Sequence, residues 1–291
     1  MRTATRICIA LCALGIAIQP LYAQDDAAKK EEYGWKNSAV IGANLTQVSL
    51  TNWTKGGENT LVFMVFSKNA FNLHEALYDW KNTIRLMYGQ SKIGNADFQK
   101  SDDEIFLESM HSRNIGWVVN PFAAVQVRTQ FAPGYKNVTT DNGVDSSVQI
   151  SDFWDPGYII ESFGFSYASG PEFSTRLGVG FKETFSKKYG YAHDPSVAND
   201  DATFRFETGI ESSSKLVYDV MENMKLTSQL DLFSAFNKLD VWDVRWESDI
   251  TGKVNDYVNV SLNVILVHEI AQTRKTQVKQ TLALGFSYAI L

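Results

Sequence analysis

Thr281-Leu-Ala-Leu-Gly-Phe-Ser-Tyr-Ala-Ile-Leu291 alternates with a period of two. Leu282, Leu284, Phe286, Tyr288 and Ile290 form a large apolar face; Thr281, Ala283, Gly285, Ser287 and Ala289 form a small or polar one. That period belongs to a β-strand. In water such a strand invites edge-to-edge aggregation. In an outer-membrane barrel it is safe, because the last strand closes on the first and its apolar face meets lipid.

Working back from this strand, about twelve segments read as strands: 37–51, 58–72, 76–92, 103–116, 119–132, 157–168, 172–186, 202–218, 222–235, 240–251, 256–268 and 277–291. Each is long enough to cross a bilayer at a barrel tilt. Alternation is clearest late in the chain. Trp242, Val244, Trp246 and Ile250 oppose Asp243, Arg245, Glu247 and Asp249. Phe204, Phe206 and Ile210 oppose Arg205, Glu207 and Glu211, and Leu230 and Leu232 oppose Asp231. The first, second and fourth segments alternate poorly. Glu161 falls on the apolar parity of the sixth, which predicts a bulge or a shifted register there.

A soluble sandwich alternates too, so two further patterns decide. The connections near 93–102, 133–156 and 187–201 are long, while those near 169–171, 219–221 and 252–255 are short. Barrels of the outer membrane have long external loops and short periplasmic turns. Trp35, Trp53, Trp80, Trp117 and Trp154 fall near strand ends, where interfacial girdles need them. The expected fold is an all-β, transmembrane, antiparallel up-and-down β-barrel of about twelve strands, with both termini periplasmic.

The N-terminal residues supply an export route. Arg2 and Arg6 precede an apolar run from Ile7 to Ile18, and Pro20-Leu-Tyr-Ala23 offers a cleavage point. This reads as a secretory signal peptide, residues 1–23. Residues 24–35 form a polar periplasmic lead, and the barrel is expected over 36–291. Cleavage removes Cys8 and Cys12, the only cysteines, so the mature chain has no disulfide or thiolate chemistry. It also makes the net charge more acidic than −6, which argues against nucleic acid as a partner. The expected partners are outer-membrane lipids and an envelope protein. No cofactor and no metal are expected.

Three stretches and the terminal strand resemble a family of Bacteroidetes proteins classed as a domain of unknown function and regarded as outer-membrane barrels. They are Leu45-Thr-Gln-Val-Ser-Leu-Thr-Asn-Trp53-Thr-Lys-Gly56-Gly57-Glu-Asn, Arg128-Thr-Gln-Phe-Ala-Pro133-Gly134-Tyr135, Asp152-Phe-Trp-Asp-Pro156-Gly157-Tyr158, and Gly285-Phe-Ser-Tyr288. The resemblance runs over essentially the whole mature chain. It implies a location and a fold, and no activity or catalytic residues.

Trp53, Gly56 and Gly57 read as a tight external turn, with paired glycines for positive φ and the indole at the interface. Pro133-Gly134-Tyr135 and Pro156-Gly157-Tyr158 bracket the longest loop and are expected to fix its exit and re-entry, with the tyrosines near headgroups. Charges on the polar parities are expected to face the lumen: Lys81, Arg85, Arg128, Arg176, Lys182, Arg205, Glu207, Glu211, Asp231, Asp243, Arg245, Glu247 and Asp249. They read either as an ion-paired filling of a narrow barrel or as a selectivity ladder.

Enzyme signals are faint, and the chain is read as a non-enzyme. His111 and Ser112 are adjacent on one strand and so point to opposite faces. His74, His193 and His268 lack metal-ligand spacing, and Asp194, Asn199, Asp200 and Asp201 match no calcium loop. The leading functional reading is a narrow, porin-like channel for small hydrophilic or ionic solutes. A non-conducting scaffold or subunit of an envelope assembly is the alternative, and a barrel-wall lipid hydrolase is the weakest reading.

Overall fold

Alternating side chains form the strands wherever the sequence carries that period. The computed structural model describes residues 33–291, apart from 52–56, 140–144, 195–196, 198–199 and 274. The expected signal peptide, both cysteines, Trp53 and Gly56 lie outside the described residues. The strands are β1 (Gly34–Val48), β2 (Thr60–His74), β3 (Tyr78–Ile93), β4 (Gln99–Arg113), β5 (Asn120–Thr129), β6 (Gly134–Thr139), β7 (Asp145–Ser151), β8 (Gly157–Ser169), β9 (Phe173–Phe185), β10 (Phe204–Met221), β11 (Met224–Ala235), β12 (Asp243–Lys253), β13 (Val258–His268) and β14 (Gln277–Ala289).

Twelve of these close a barrel in the order β1-β14-β13-β12-β11-β10-β9-β8-β5-β4-β3-β2. All pairings are antiparallel, and each expected segment corresponds to one crossing strand. The remaining two, β6 and β7, form a separate hairpin in the connection between β5 and β8, which was expected as a loop. Most boundaries shift by a few residues; β1 begins at Gly34, ahead of the expected barrel start, and β4 begins at Gln99, so the connection before it is only 94–98. The long connections gather at one end, including 130–156 and 186–203. The short turns 75–77, 170–172, 222–223 and 254–257 gather at the other.

The wall is inverted relative to a soluble sheet. On β14 Leu282 is 66% exposed and Phe286 48%, whereas Ala283 is 5% exposed. Exposed rings circle the turn end: Tyr33, Trp35, Trp80, Trp117, Tyr167, Tyr218, Tyr257 and Tyr288. At the long-loop end Trp154 packs on Phe185, which packs on Phe204. Polar atoms on the outward parity pair with one another. Trp80 Nε1 donates to Ser109 Oγ (2.9 Å), Ser109 Oγ to Asn82 Oδ1 (2.8 Å), and Asn82 Nδ2 to the Phe71 carbonyl (3.0 Å). Trp246 Nε1 donates to Ser228 Oγ at 2.9 Å. A wall that meets hydrocarbon has no water to satisfy such groups.

Glu161 corrects an expectation. The ladders pair it with Val125 and Phe181 in unbroken register, so there is no bulge. Its carboxylate stands exposed on the outer wall. A carboxylate on a lipid-facing wall costs less than a cation there, and the regular pairing persists around it.

The poor alternation of β1 and β2 also has a packing cause. The Phe66 ring turns inward over Gly42, where a Cβ would lie 2.4 Å from Cζ. Apolar side chains therefore line both faces near the closing seam. On β8 and β9, Gly164 and Gly178 face each other in register. A Cβ at Gly178 would sit 2.4 Å from the Phe163 carbonyl oxygen, so a side chain there displaces backbone. Gly178→Ala is expected to destabilise the barrel by about 1–3 kcal/mol. The check is urea unfolding, with gel mobility of unheated against boiled protein as the folding readout. An unchanged midpoint would refute the close approach.

Candidate functional site

A wall of twelve strands encloses more width than aliphatic side chains fill, and long charged side chains cross it. The residues that converge lie on β3, β4, β5 and β12. Glu104 accepts from Arg128 Nη1 at 2.6 Å and Arg245 Nη2 at 3.5 Å, and lies 3.7 Å from Arg85. Arg85 Nη1 also donates to Glu247 at 3.3 Å, and Arg245 lies 3.8 Å from the same carboxylate. Phe106, 2% exposed, lies between two guanidiniums, Arg85 at 4.4 Å and Arg128 at 4.8 Å from its ring centre. These groups form a belt across the lumen. The low polarity around them strengthens each pair, and pairing offsets the cost of removing the charges from water.

Two further clusters extend the belt. Arg176 on β9 donates to Glu108 (3.2 Å) and Glu211 (3.1 Å), and Gln126 donates to Glu108 (3.1 Å). Toward the long-loop end, Lys182 donates to Asp243 (2.7 Å) and Glu269 (2.8 Å). Gln272 donates to Glu269 (2.5 Å) and to the Tyr158 hydroxyl (3.0 Å).

Between this cluster and the belt lies a cavity of about 120 Å³, walled by Arg128, Tyr158, Lys182, Glu211 and Phe233 among others. On the other side of the belt, toward the turn end, lies a vestibule of about 590 Å³. Small inward side chains leave that room, Ser166 on β8 and Ser213 on β10 among them. Arg85, Phe106, Glu108, Arg176 and Glu247 border the vestibule, whereas Arg128, Glu211 and Arg245 border the smaller cavity.

The long connections are tied down over the rim. Asp103 accepts from the backbone N–H of Phe131 (2.7 Å) and Ala132 (2.9 Å) and from Lys100 (2.9 Å). Asp155 accepts from Ser186 Oγ (2.6 Å) and from the N–H of Lys187 and Lys188. Lys279 on β14 pairs with Asp102 on β4. In the 186–203 connection, Asp200 accepts backbone N–H bonds from Asp194 and Ala202, which hold its carboxyl below the usual range.

The structure places the residues named from sequence as follows. Arg85, Arg128, Arg245 and Glu247 meet in the belt; Arg176 meets Glu211; Lys182 meets Asp243. Arg205 donates to Glu207 at 3.0 Å and to the His193 carbonyl at 2.7 Å. Asp231 accepts from Ser213 (2.6 Å) and Gln229, and Lys81 and Asp249 line the vestibule. Tyr135 is exposed, but Tyr158 points into the smaller cavity, not toward headgroups as expected. Its residue count from β8's start puts it on the parity of Ile160 and Ser162, which face inward. Gly134 pairs with Ser151 at the root of the β6–β7 hairpin, and Gly57 has φ +112°. Ser112 lines the vestibule while His111 stacks on Tyr78, so the two do not meet. Asp194 is engaged by Lys238 at 2.8 Å.

Sequence reasoning missed Glu104, the centre of the belt, with Asp102, Glu108, Lys215 and Glu269. Asp102, Glu104 and Glu108 share a parity with Phe106 and Met110, and the apolar members hid the acidic ones. Lys215 continues the parity of Arg205, Glu207 and Glu211 and was legible there.

Among known proteins, the family described as "Protein of unknown function (DUF3078)" matches residues 45–135. That stretch holds the first two motifs quoted above; the other two lie outside it. No curated protein matches. Solved structures that resemble the chain include the translocator domain of the autotransporter NalP from Neisseria meningitidis, with 9% identity, 89% of this chain and 90% of that chain covered, and a TM-score of 0.39. An outer membrane channel from Pseudomonas putida F1 has 7% identity, 92% and 99% coverage and a TM-score of 0.39. The toluene transporter TodX of P. putida has 6% identity, 88% and 89% coverage and a TM-score of 0.29. The barrel architecture of this chain stands on its own strand ladder.

Glu104→Ala leaves three guanidiniums facing each other with one acceptor fewer. It is expected to cost about 3–5 kcal/mol in reversible urea unfolding. Glu161→Ala on the outer wall is the control and should change stability by less than about 1 kcal/mol. Equal stability of Glu104→Ala and wild type would show that the belt contributes no net energy.

Proposed function

We propose that this protein is an outer-membrane barrel whose lumen is a narrow path for small hydrophilic or ionic solutes, held shut by side chains in the conformation described. The closed ladder, apolar exterior and aromatic girdle at the turn end support the membrane location. The short turns then face the periplasm and the long connections face outward. One observation carries the reading: two cavities, each bordered by charged side chains among apolar ones, lie in series, divided by a belt built from side chains of β3, β4, β5 and β12. Such a barrier opens by rotamer changes and leaves the wall intact. Charged rings of both signs then set which ions pass.

A second reading, a non-conducting scaffold or subunit of an envelope assembly, is favoured by the same belt taken as permanent filling. Planar-bilayer recording separates the two. Wild type is expected to show small or rare conductance steps, and Phe106→Ala/Arg245→Ala to raise the conductance several-fold. Silent bilayers from folded protein of both kinds, judged by heat-shifted gel mobility, would remove the channel and leave the scaffold.

A further inference from the structure

The belt and the cluster above it consist of paired charges. Below them the pattern changes. Lys68 on β2, Lys81 on β3 and Lys215 on β10 line the vestibule, and among the described residues none of them forms an ion pair. Lys68 lies over the Phe66 ring at 5.5 Å. All three are exposed to the lumen. They belong to one group, because Lys215 lies within electrostatic range of Lys68, Lys81 and Arg85 together. Lys68 and Lys81 lie on neighbouring strands and Lys215 on the opposite side of the barrel, and all three line the same vestibule.

Two of the acids bordering the same space are engaged by arginines. Glu108 is held by Arg176 and Gln126, and Glu247 by Arg85. Asp79 is bonded to His74 at 2.5 Å, while Asp249 accepts from the neutral Thr251 hydroxyl at 2.6 Å and keeps its charge. Glu172 sits in the turn between β8 and β9, away from the belt. Lys215 sits in the field of three like charges, Lys68, Lys81 and Arg85, with Glu108 opposing them, and like charges repel. A ligand with several anionic oxygens relieves that repulsion, since each ammonium offers three rotatable donors. The volume of about 590 Å³ suits a small molecule.

We propose that the vestibule below the belt is a binding site for a small multivalent oxyanion, of phosphoryl or polycarboxylate type, entering from the periplasmic side and held by Lys68, Lys81 and Lys215. This deepens the reading above, on which it relies for its orientation in the membrane. Binding itself does not require conduction.

The test is isothermal titration of the detergent-folded barrel with inorganic pyrophosphate and, separately, with citrate. Saturable binding of either supports the site, and the tighter of the two assigns the oxyanion type. Lys68→Gln/Lys81→Gln/Lys215→Gln should weaken it at least about tenfold. Lys253→Gln, at the β12–β13 turn and paired there with Asp256, should leave it unchanged. If the triple variant fails the gel-mobility test of folding, Lys68→Gln and Lys215→Gln singly should each weaken binding about threefold. No binding of either anion to wild type, or equal binding by the lysine variants, overturns the proposal. Binding by a barrel that never conducts would keep this site and remove the channel.

Discussion

Backbone hydrogen bonding without water is the constraint on which everything else depends. In hydrocarbon, an unpaired N–H or C=O finds no substitute partner. On the proposed membrane location a sheet with two free edges is excluded, and the first and last strands must meet. The seam that does this is shorter than its neighbours. β1 pairs with β14 from Val40↔Ala289 to Leu45↔Leu284, but with β2 over its whole length. Contacts beyond the ladder lengthen the seam at both ends. Ile290 N–H donates to the Ala39 carbonyl at 2.7 Å, and Thr46 Oγ1 to the Leu282 carbonyl at 3.3 Å.

Closure converts the polar parity of every strand into an interior. That interior cannot be an ordinary hydrophobic core, because opposite walls are too far apart for Leu or Val to meet. Arg, Lys and Glu have the reach, and their charges force them to pair across the space. Arg85 on β3 to Glu247 on β12 and Lys279 on β14 to Asp102 on β4 are bridges between strands that share no ladder. Phe106 adds apolar surface where it stays covered by guanidinium faces, an attraction of ring quadrupole for cation. The same logic runs in reverse outside, where Ser109 and Ser228 satisfy the indole N–H groups of Trp80 and Trp246.

The barrel strands were legible because an apolar outer face and a polar inner face impose a strong period of two, as in β12 and β14. The β6–β7 hairpin was not, because it lies beyond the wall and neither face of it is under that constraint. Within the wall, legibility failed where one side carried mixed residues. On β4, Phe106 and Met110 share the inward parity with Glu104 and Glu108, so the apolar-polar contrast vanishes, and an extra residue at Ser101 shifts the register near the strand's start. On β1 and β2, Phe66 folded over Gly42 does the same. Glu161 failed in the opposite way: a charge on the outward face looked like an error in register, when the ladder simply tolerates it. Tyr158 was assigned by residue type to the interface, and its strand parity turned it inward.

The wall and the lumen are held by different forces, and this separation has a consequence for how the molecule can change state. The wall is fixed by backbone ladders, and breaking any one of them leaves an edge of unpaired N–H and C=O groups. The belt is fixed by side-chain ion pairs, each of which exchanges one partner for another or for water. Glu104 already divides itself among three arginines, and Arg85 and Arg245 each lie near both Glu104 and Glu247. A shared network of this kind has several pairings close in energy, since every member except Arg128 keeps another partner when one contact is lost. Rearrangement inside the barrel therefore proceeds without any cost to its closure. A wall of fixed register can accordingly enclose an interior that is shut in one arrangement of its arginines and open in another.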